Sequence, residues 1–244
     1  MTLILALETA TTACSAALCD AHGVVLAEAL TLHGPAHAQR LLPGVHEVLN
    51  EAGKSWAEIG TIAVSLGPGA FTGLRIGIAT ARSLAQADGD ARLVGIPTAA
   101  ALALALAGAP ERVAMVEEHF LVPLIDGRRR EVFAAAYRAE PGGASLSPVV
   151  GPVVVSADAL GDWLEQLGRP VLVGGDGAVL YADRLPVSAR RAESVASPSA
   201  AMVGRATAWG VPGLVTGPDA VLPLYGRAPD AARWVGASAA LGGR

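Results

Sequence analysis

Two acidic residues stand where apolar strand-like segments end, and paired carboxylates are typical of metal-dependent phosphate chemistry. Glu8 follows residues 3–7, and Asp126 follows residues 121–125. If the two strand ends face each other across a cleft, the carboxylates could hold Mg²⁺ and a phosphate. Taken singly, each acid is better interpreted as the cap of a turn, and Asp126 precedes Gly127, as turn residues commonly do.

A glycine-rich segment at residues 67–77 reads Gly-Pro-Gly-Ala-Phe-Thr-Gly-Leu-Arg-Ile-Gly and precedes a helical pattern. Backbone N–H groups in such a turn, with the positive end of a helix, suit a phosphate or carboxylate. Its spacing fits neither the dinucleotide-binding fingerprint nor a P-loop. Close packing through Gly73 and Gly77 is the favoured alternative. The residues predicted near a bound anion or nucleotide are Glu8, Thr9, Gly67, Gly69, Thr72, Gly73 and Asp126.

The other reactive side chains indicate neither a catalytic residue nor a metal ligand. His33 and His37 have the spacing of a helical metal pair, but Gly34 and Pro35 lie between them, which favours two surface histidines. Residues 128–130 are three arginines, better interpreted as a solvated turn than as an RNA site. No Gly-x-Ser-x-Gly motif occurs, so nucleophilic catalysis has no support.

Composition excludes several classes of protein. The 244 residues are 52% hydrophobic and 16% charged with a net charge of −4, which argues against disorder and against a nucleic-acid-binding polycation. The longest apolar stretch, residues 99–109, falls short of the roughly 20 residues of a membrane span. No signal peptide is expected. Cys14 and Cys19 would lie on opposite strand faces, which suits free thiols in the cytoplasm.

The elements that must position these residues follow from hydrophobic periodicity. A strand meander is predicted at 3–7, 14–19 and 24–30, then further strands at 61–66, 93–96, 121–125 and 132–137. Helices are predicted around 41–49, with Pro43 kinking the helix or marking its first turn, and at 72–87 and 98–107. Ser55 and Glu58 form a capping box, and Ser197 with Pro198 begins a late helix. The strand–acid–turn–strand pattern occurs twice, which predicts an internal duplication with two lobes.

With these motifs in place, the chain resembles the TsaB (YeaZ) family of bacterial tRNA threonylcarbamoyladenosine biosynthesis proteins. The resemblance rests on residues 4–9, on His37 with Leu41-Leu-Pro43, and above all on residues 67–77. Residues 126–133 and 223–227 support it. It implies an α/β actin-like ATPase (ASKHA) superfold with two RNase H-like lobes, whose mixed sheets are flanked by helices. The expected lobes are 1–108, joined by a helix near 197–210, and 109–226, followed by a tail at 227–244.

The resemblance also implies a function. The chain would be a non-catalytic scaffold in tRNA N6-threonylcarbamoyladenosine synthesis, supporting the catalytic paralogue TsaD and the ATPase TsaE. Catalytic relatives carry an H-x-x-x-H metal pair where residues 95–101 here hold neither histidine nor acid. The resemblance leaves open ATP or ADP at the complex interface and a homodimer of the isolated chain, and it assigns tRNA contact mainly to the complex. Two alternatives remain: an actin-fold small-molecule kinase or phosphotransferase, and a metallopeptidase-like relative. Glu8, Ala70 and Gly127 depart from the family pattern, which weakens any expectation of nucleotide binding.

The family pairs through two helices of the first lobe, which implies a partner interface on the corresponding helices here. Arginine at Ile78 or Ala81 is expected to abolish TsaD binding while leaving the monomer folded. The predicted interface residues are Leu41, Leu42, Val45, Val48, Leu49, Leu74, Arg75, Ile78, Ala81, Arg82 and Ala85.

Overall fold

The first of two mixed sheets is built mainly from the N-terminal part of the chain. The computed structural model describes residues 2–31, 37–113, 115, 118–139 and 145–226. The sheet order is β11-β5-β4-β1-β2-β3, for strands β1 (Leu3–Glu8), β2 (Cys14–Cys19), β3 (Val25–Thr31), β4 (Ile59–Gly67), β5 (Arg92–Pro97) and β11 (Val215–Thr216). The strand β1 pairs antiparallel with β2 and parallel with β4.

The second sheet repeats this topology. Its order is β10-β9-β6-β7-β8, for strands β6 (Phe120–Arg128), β7 (Glu131–Ala139), β8 (Leu146–Ser156), β9 (Val171–Gly174) and β10 (Ala189–Arg191). Here β6 pairs antiparallel with β7 and parallel with β9, as β1 does with β2 and β4. The predicted duplication is therefore confirmed in both strand order and strand direction.

Helices cover both faces of the first sheet. The described helices are α1 (His37–Glu51), α2 (Phe71–Asp88), α3 (Thr98–Ala107), α4 (Pro110–Val113), α5 (Leu160–Gln166), α6 (Asp176–Leu180) and α7 (Ala200–Trp209). On one face, Leu5 and Cys14 belong to the core formed with α1 and α2. On the other, Ala6 and Cys19 belong to the core formed with α3 and α7. Both cysteines are free, as their odd spacing predicts.

The helix α3 is rich in alanine and contacts both sheets. It contacts β4 and β5 of the first sheet as well as β6 and β7 of the second. Leu102 and Leu106 are fully buried, and so are Ala100 and Ala103. A helix that is apolar all round is buried all round, and its alanines let two sheets approach it closely.

Local signals placed most elements well but misplaced the late helix. The capping box is confirmed, since Glu58 Oε2 accepts the Ser55 N–H at 2.9 Å. Pro43 lies in the middle of α1, not in its first turn. The helix α7 begins at Ala200, so the predicted start at Ser197 and Pro198 is wrong.

The helix α7 starts later than predicted because side chains from two strands cap its first turn. Ser15 Oγ on β2 accepts the Ala200 N–H at 2.8 Å, and Glu28 Oε1 on β3 accepts the Ala201 N–H at 2.9 Å. These strand side chains satisfy the free N–H groups of the first turn, and they are distant in sequence.

After the second sheet the chain returns to the first. The helix α7 packs on β1 and β2, and β11 pairs with β5. We therefore keep the division into lobes as a proposal, with the end of the second lobe nearer residue 198 than residue 226. Among the described helices, none is both long and apolar enough to cross a membrane.

Candidate functional site

Glu8, at the end of β1, is a fully buried acid whose pKa is strongly shifted. Its side chain is 0% exposed. Oε1 accepts the Ala10 N–H, and Oε2 has no hydrogen-bond partner among the described residues. Burial raises the pKa of this carboxyl to about 7, because removal from water disfavours the charged form. Glu8 therefore carries a proton for part of the time at neutral pH.

The acid whose charge acts on Glu8 is Asp176, at the start of α6. Its negative charge adds to the rise in the Glu8 pKa. Asp176 Oδ1 accepts the Asp126 N–H at 3.0 Å. Burial, and then the charge of Asp126, raises the pKa of Asp176 to about 6. The structure thus adds an acid that the sequence reasoning did not select.

The Asp126 carboxylate interacts with Arg128 in its own turn. Its Oδ1 accepts the Arg128 N–H at 2.8 Å, and its Oδ2 lies 3.1 Å from the Arg128 guanidinium. This is the turn-capping role that the sequence favoured for Asp126 taken singly. A cation or phosphate held by Glu8 and Asp126 stays a prediction.

The duplication offers a signal that would have found Asp176. The turn after β9 reads Gly174-Gly-Asp-Gly177 and leads into α6. It corresponds to the glycine-rich turn that follows β4 and leads into α2. Comparing the two halves, instead of looking only for strand-ending acids, points directly to Asp176.

The glycine-rich turn packs tightly against the connection between β1 and β2. Thr9 Oγ1 donates to the Gly73 carbonyl at 2.8 Å, and the Ala70 N–H donates to the Ala10 carbonyl at 2.6 Å. A Cβ at Gly73 or Gly77 would overlap Thr9. The glycines thus serve close packing, as the favoured alternative holds, and anion binding at Gly67, Gly69, Thr72 and Gly73 stays a prediction.

His37 also contributes to this packing. Its Nε2–H donates to the Thr11 carbonyl at 2.9 Å. His33 lies outside the described residues. Within the described part of the chain, no group of three or more histidine, cysteine, aspartate or glutamate side chains could hold a metal ion.

Residues 221–226, here termed the strap, pack against the start of the glycine-rich turn. The Leu224 N–H donates to the Leu66 carbonyl at 2.7 Å. From the other side, the Gly67 N–H donates to Thr98 Oγ1 at 3.1 Å. A Cβ at Gly226 would overlap the Phe133 ring of β7, so the strap touches both sheets.

The outward surface of α2 carries an exposed cluster of two aromatic rings and an arginine. Phe71 is 46% exposed and Tyr225 is 39% exposed. The Arg75 guanidinium lies 3.8 Å from the Phe71 ring centroid, and Arg75 Nε donates to the Tyr225 hydroxyl at 2.9 Å. A depression of about 520 Å³ continues along α2 past Ala79 and Arg82.

The predicted partner interface divides between core and surface. Its exposed members are Leu42, Arg75 and Arg82, with Ala85 half-buried. The others pack against the chain's own sheet because the apolar stripe of each helix covers that sheet, so they form no free contact surface. The expected outcome for arginine at Ile78 or Ala81 is therefore corrected: the charge would enter the core. The buried members are Leu41, Val45, Val48, Leu49, Leu74, Ile78 and Ala81.

Two sheets of equal topology, packed on a shared helix, define the actin-like ATPase fold class. A family model described as "TsaD: tRNA N6-adenosine threonylcarbamoyltransferase" matches residues 31–169. An uncharacterized protein of Mycobacterium tuberculosis is 33% identical over 231 residues, 93% of each chain. The tRNA threonylcarbamoyladenosine biosynthesis protein TsaB of Bacillus subtilis is 34% identical over 163 residues, 64% of each chain.

A solved structure gives the same result. YeaZ from Pseudomonas aeruginosa superposes with a TM-score of 0.72 at 29% identity, covering 92% of this chain and 100% of that one. The chain belongs to the TsaB (YeaZ) family.

Proposed function

We propose that this chain is a non-catalytic subunit in the synthesis of tRNA N6-threonylcarbamoyladenosine, where it binds and supports the catalytic paralogue TsaD together with TsaE. Family membership supports the pathway, since the Bacillus subtilis relative carries that function in its name. The observation that carries the scaffold role is the exposed cluster that Phe71 and Arg75 of α2 form with Tyr225 of the strap.

This cluster has the chemistry of a protein contact. Aromatic residues and arginine are enriched at interface centres and often dominate binding energy. Arg75 is held over the Phe71 ring and by its hydrogen bond to the Tyr225 hydroxyl before any partner arrives, so little side-chain entropy remains to be lost on binding. Neither Arg75 nor Arg82 forms an ion pair with a described acid. We infer that the partner surface supplies carboxylates.

The absence of transfer chemistry is also part of the proposal. Thr98, in the segment where catalytic relatives are expected to hold a metal pair, is fully buried and binds the Gly67 N–H. Glu8 is equally buried and accepts the Ala10 N–H, which disfavours the kinase and phosphotransferase alternative. The proposal keeps ATP or ADP at a joint interface, tRNA contact through the complex, a homodimer of the isolated chain, and the cytoplasm as the location.

The test is co-expression with TsaD, sizing of the complex and a threonylcarbamoyl-transfer assay with and without this chain. Arg75→Glu and Phe71→Ala should weaken complex formation at least about tenfold, because each removes an anchor from an exposed cluster. Arg190→Glu is the matched control, since Arg190 is exposed on β10 of the other sheet. A complex of unchanged stability with both α2 variants, each folded by circular dichroism, would overturn the scaffold role of this face.

A further inference from the structure

A second cavity lies on the opposite side of the first sheet from the α2 cluster. It has a volume of about 410 Å³ and lies between α3, α7 and β3. Volumes of roughly 300–1,000 Å³ are typical of small-molecule sites. Neither the resemblance nor the proposed function assigns a role to this cavity.

Two opposite charges line the cavity from different elements. Glu28 stands on β3, and Arg205 stands one turn into α7. Within the described residues, however, no ion pair joins them, and none involves Arg205 at all.

Glu28 is held by a hydrogen bond through one carboxylate oxygen, and its second oxygen can accept from a ligand. Its Oε1 accepts the Ala201 N–H at 2.9 Å. A carboxylate has two oxygens and about four acceptor sites, so Oε2 can still accept from a ligand. The guanidinium of Arg205 has five N–H donors and can bind a carboxylate at two points.

The rest of the wall is mostly apolar, apart from two serines. Leu104 from α3 and Met202 from α7 line it. Trp209 also lines the cavity, and its Nε1–H donates to the His22 carbonyl at 2.7 Å. A ligand for this cavity therefore needs an apolar body between a cationic end and an anionic end.

We propose that this cavity binds an apolar dipeptide with free termini, its ammonium group on Glu28 and its carboxylate on Arg205. Two residues of extended chain span up to about 7 Å, which suits charges that are too far apart to pair directly. A single amino acid separates its two charges by one carbon atom and bridges such a gap poorly.

The proposal is tested by titrating the full chain with L-leucyl-L-leucine and following binding by calorimetry. The dipeptide should bind saturably, and acetylation of its amino end or amidation of its carboxyl end should each weaken binding about tenfold. In Arg205→Gln, the free and the amidated dipeptide should bind equally, since the carboxylate has lost its cation. Glu28→Gln keeps an acceptor for the Ala201 N–H and should remove only the preference for a free amino end. Arg190→Gln should leave all affinities unchanged.

Three results would overturn the proposal. They are no saturable binding of the dipeptide at millimolar concentration, equal affinity for the blocked dipeptides in the wild-type chain, and binding of free leucine as tight as that of the dipeptide. The cavity and the α2 cluster lie on opposite faces of the sheet. Arg205→Gln should therefore still bind TsaD, so failure here leaves the proposed function standing.

Discussion

At the scale of single residues, the burial of Glu8 lowers the free energy of unfolding by an amount that depends on pH. Its pKa rises from an ordinary 4.5 to about 7 in the folded chain. Between these values the folded state binds more protons than the unfolded state, so the free energy of unfolding falls as the pH rises through this window. Above pH 7 the loss is complete, at about 3 kcal/mol.

Glu8→Gln should remove most of this dependence. The amide keeps an acceptor for the Ala10 N–H but cannot become charged, so the variant should be more stable than wild type at alkaline pH and similar at acid pH. Urea denaturation across the pH range measures the effect. Asp176→Asn is the comparison, since Asp176 has a pKa of about 6 and should flatten only the lower part of the curve. Equal slopes in wild type and Glu8→Gln would contradict the assignment.

Sequence reasoning at this scale finds side chains with chemistry but not what they face. It selected Glu8 and Asp126 because both end strands. The two acids differ in their tertiary contacts, since Glu8 is fully buried whereas Asp126, with a side chain 10% exposed, binds Arg128. Asp176 was missed because it lies far away in sequence, at the start of α6, and acts on Glu8 only through its negative charge.

At the scale of elements, the hairpin between β6 and β7 stores backbone strain. Arg128 pairs with Glu131, which leaves Arg129 and Arg130 as a two-residue turn. Their φ angles are 55° and 60°, in the left-handed region that such hairpin turns require and that glycine or asparagine usually supplies. A residue other than glycine costs roughly 1–2 kcal/mol in this conformation.

Arg130→Gly should therefore raise the free energy of unfolding by about 1 kcal/mol. The matched control is Arg130→Gln, which keeps the strain and removes only the exposed pair with Asp158. Such a pair contributes at most about 1 kcal/mol, so the control should not gain stability. Guanidinium denaturation separates the two effects, and a similar gain in both variants would rule out strain as the cause.

The contact between α2 and the β1–β2 connection gives a prediction of the opposite sign. A methyl group at Gly77 would overlap the Thr9 hydroxyl. Gly77→Ala should lower the free energy of unfolding by roughly 1–3 kcal/mol, the usual cost of overpacking, although alanine is the better helix former. Ser83→Ala, at an exposed position of the same helix, serves as control in thermal melts and should be neutral or slightly stabilising. A stabilised Gly77→Ala variant would refute the packing role.

Element types and most boundaries could be predicted because they follow from local periodicity. The strand β2 and the helix α3 begin and end where the pattern predicts. The start of α7 could not be predicted, since its cap comes from Ser15 and Glu28 on distant strands.

At the scale of the whole molecule, the duplication and the fold class could be predicted. Which surface buries the apolar stripes of α1 and α2 could not. Apolar spacing on α1 and α2 predicts that one stripe is buried and does not say by what. The structure assigns the stripe to the chain's own sheet. Among the described residues of α2, the exposed Phe71, Arg75 and Arg82 remain available to a partner, as does Leu42 on α1.

The return of residues 200–226 to the first sheet also determines the order in which the two sheets can be completed during translation. Strands β1 and β2 are translated before the second sheet, yet α7, which packs on both of them, is translated after it. Domains usually fold as units during synthesis, N-terminal first. Here the covering of the first sheet is completed only after the second sheet has been made, so Ala6, Ala17 and Cys19 lack α7 as a packing partner while the second sheet is being translated.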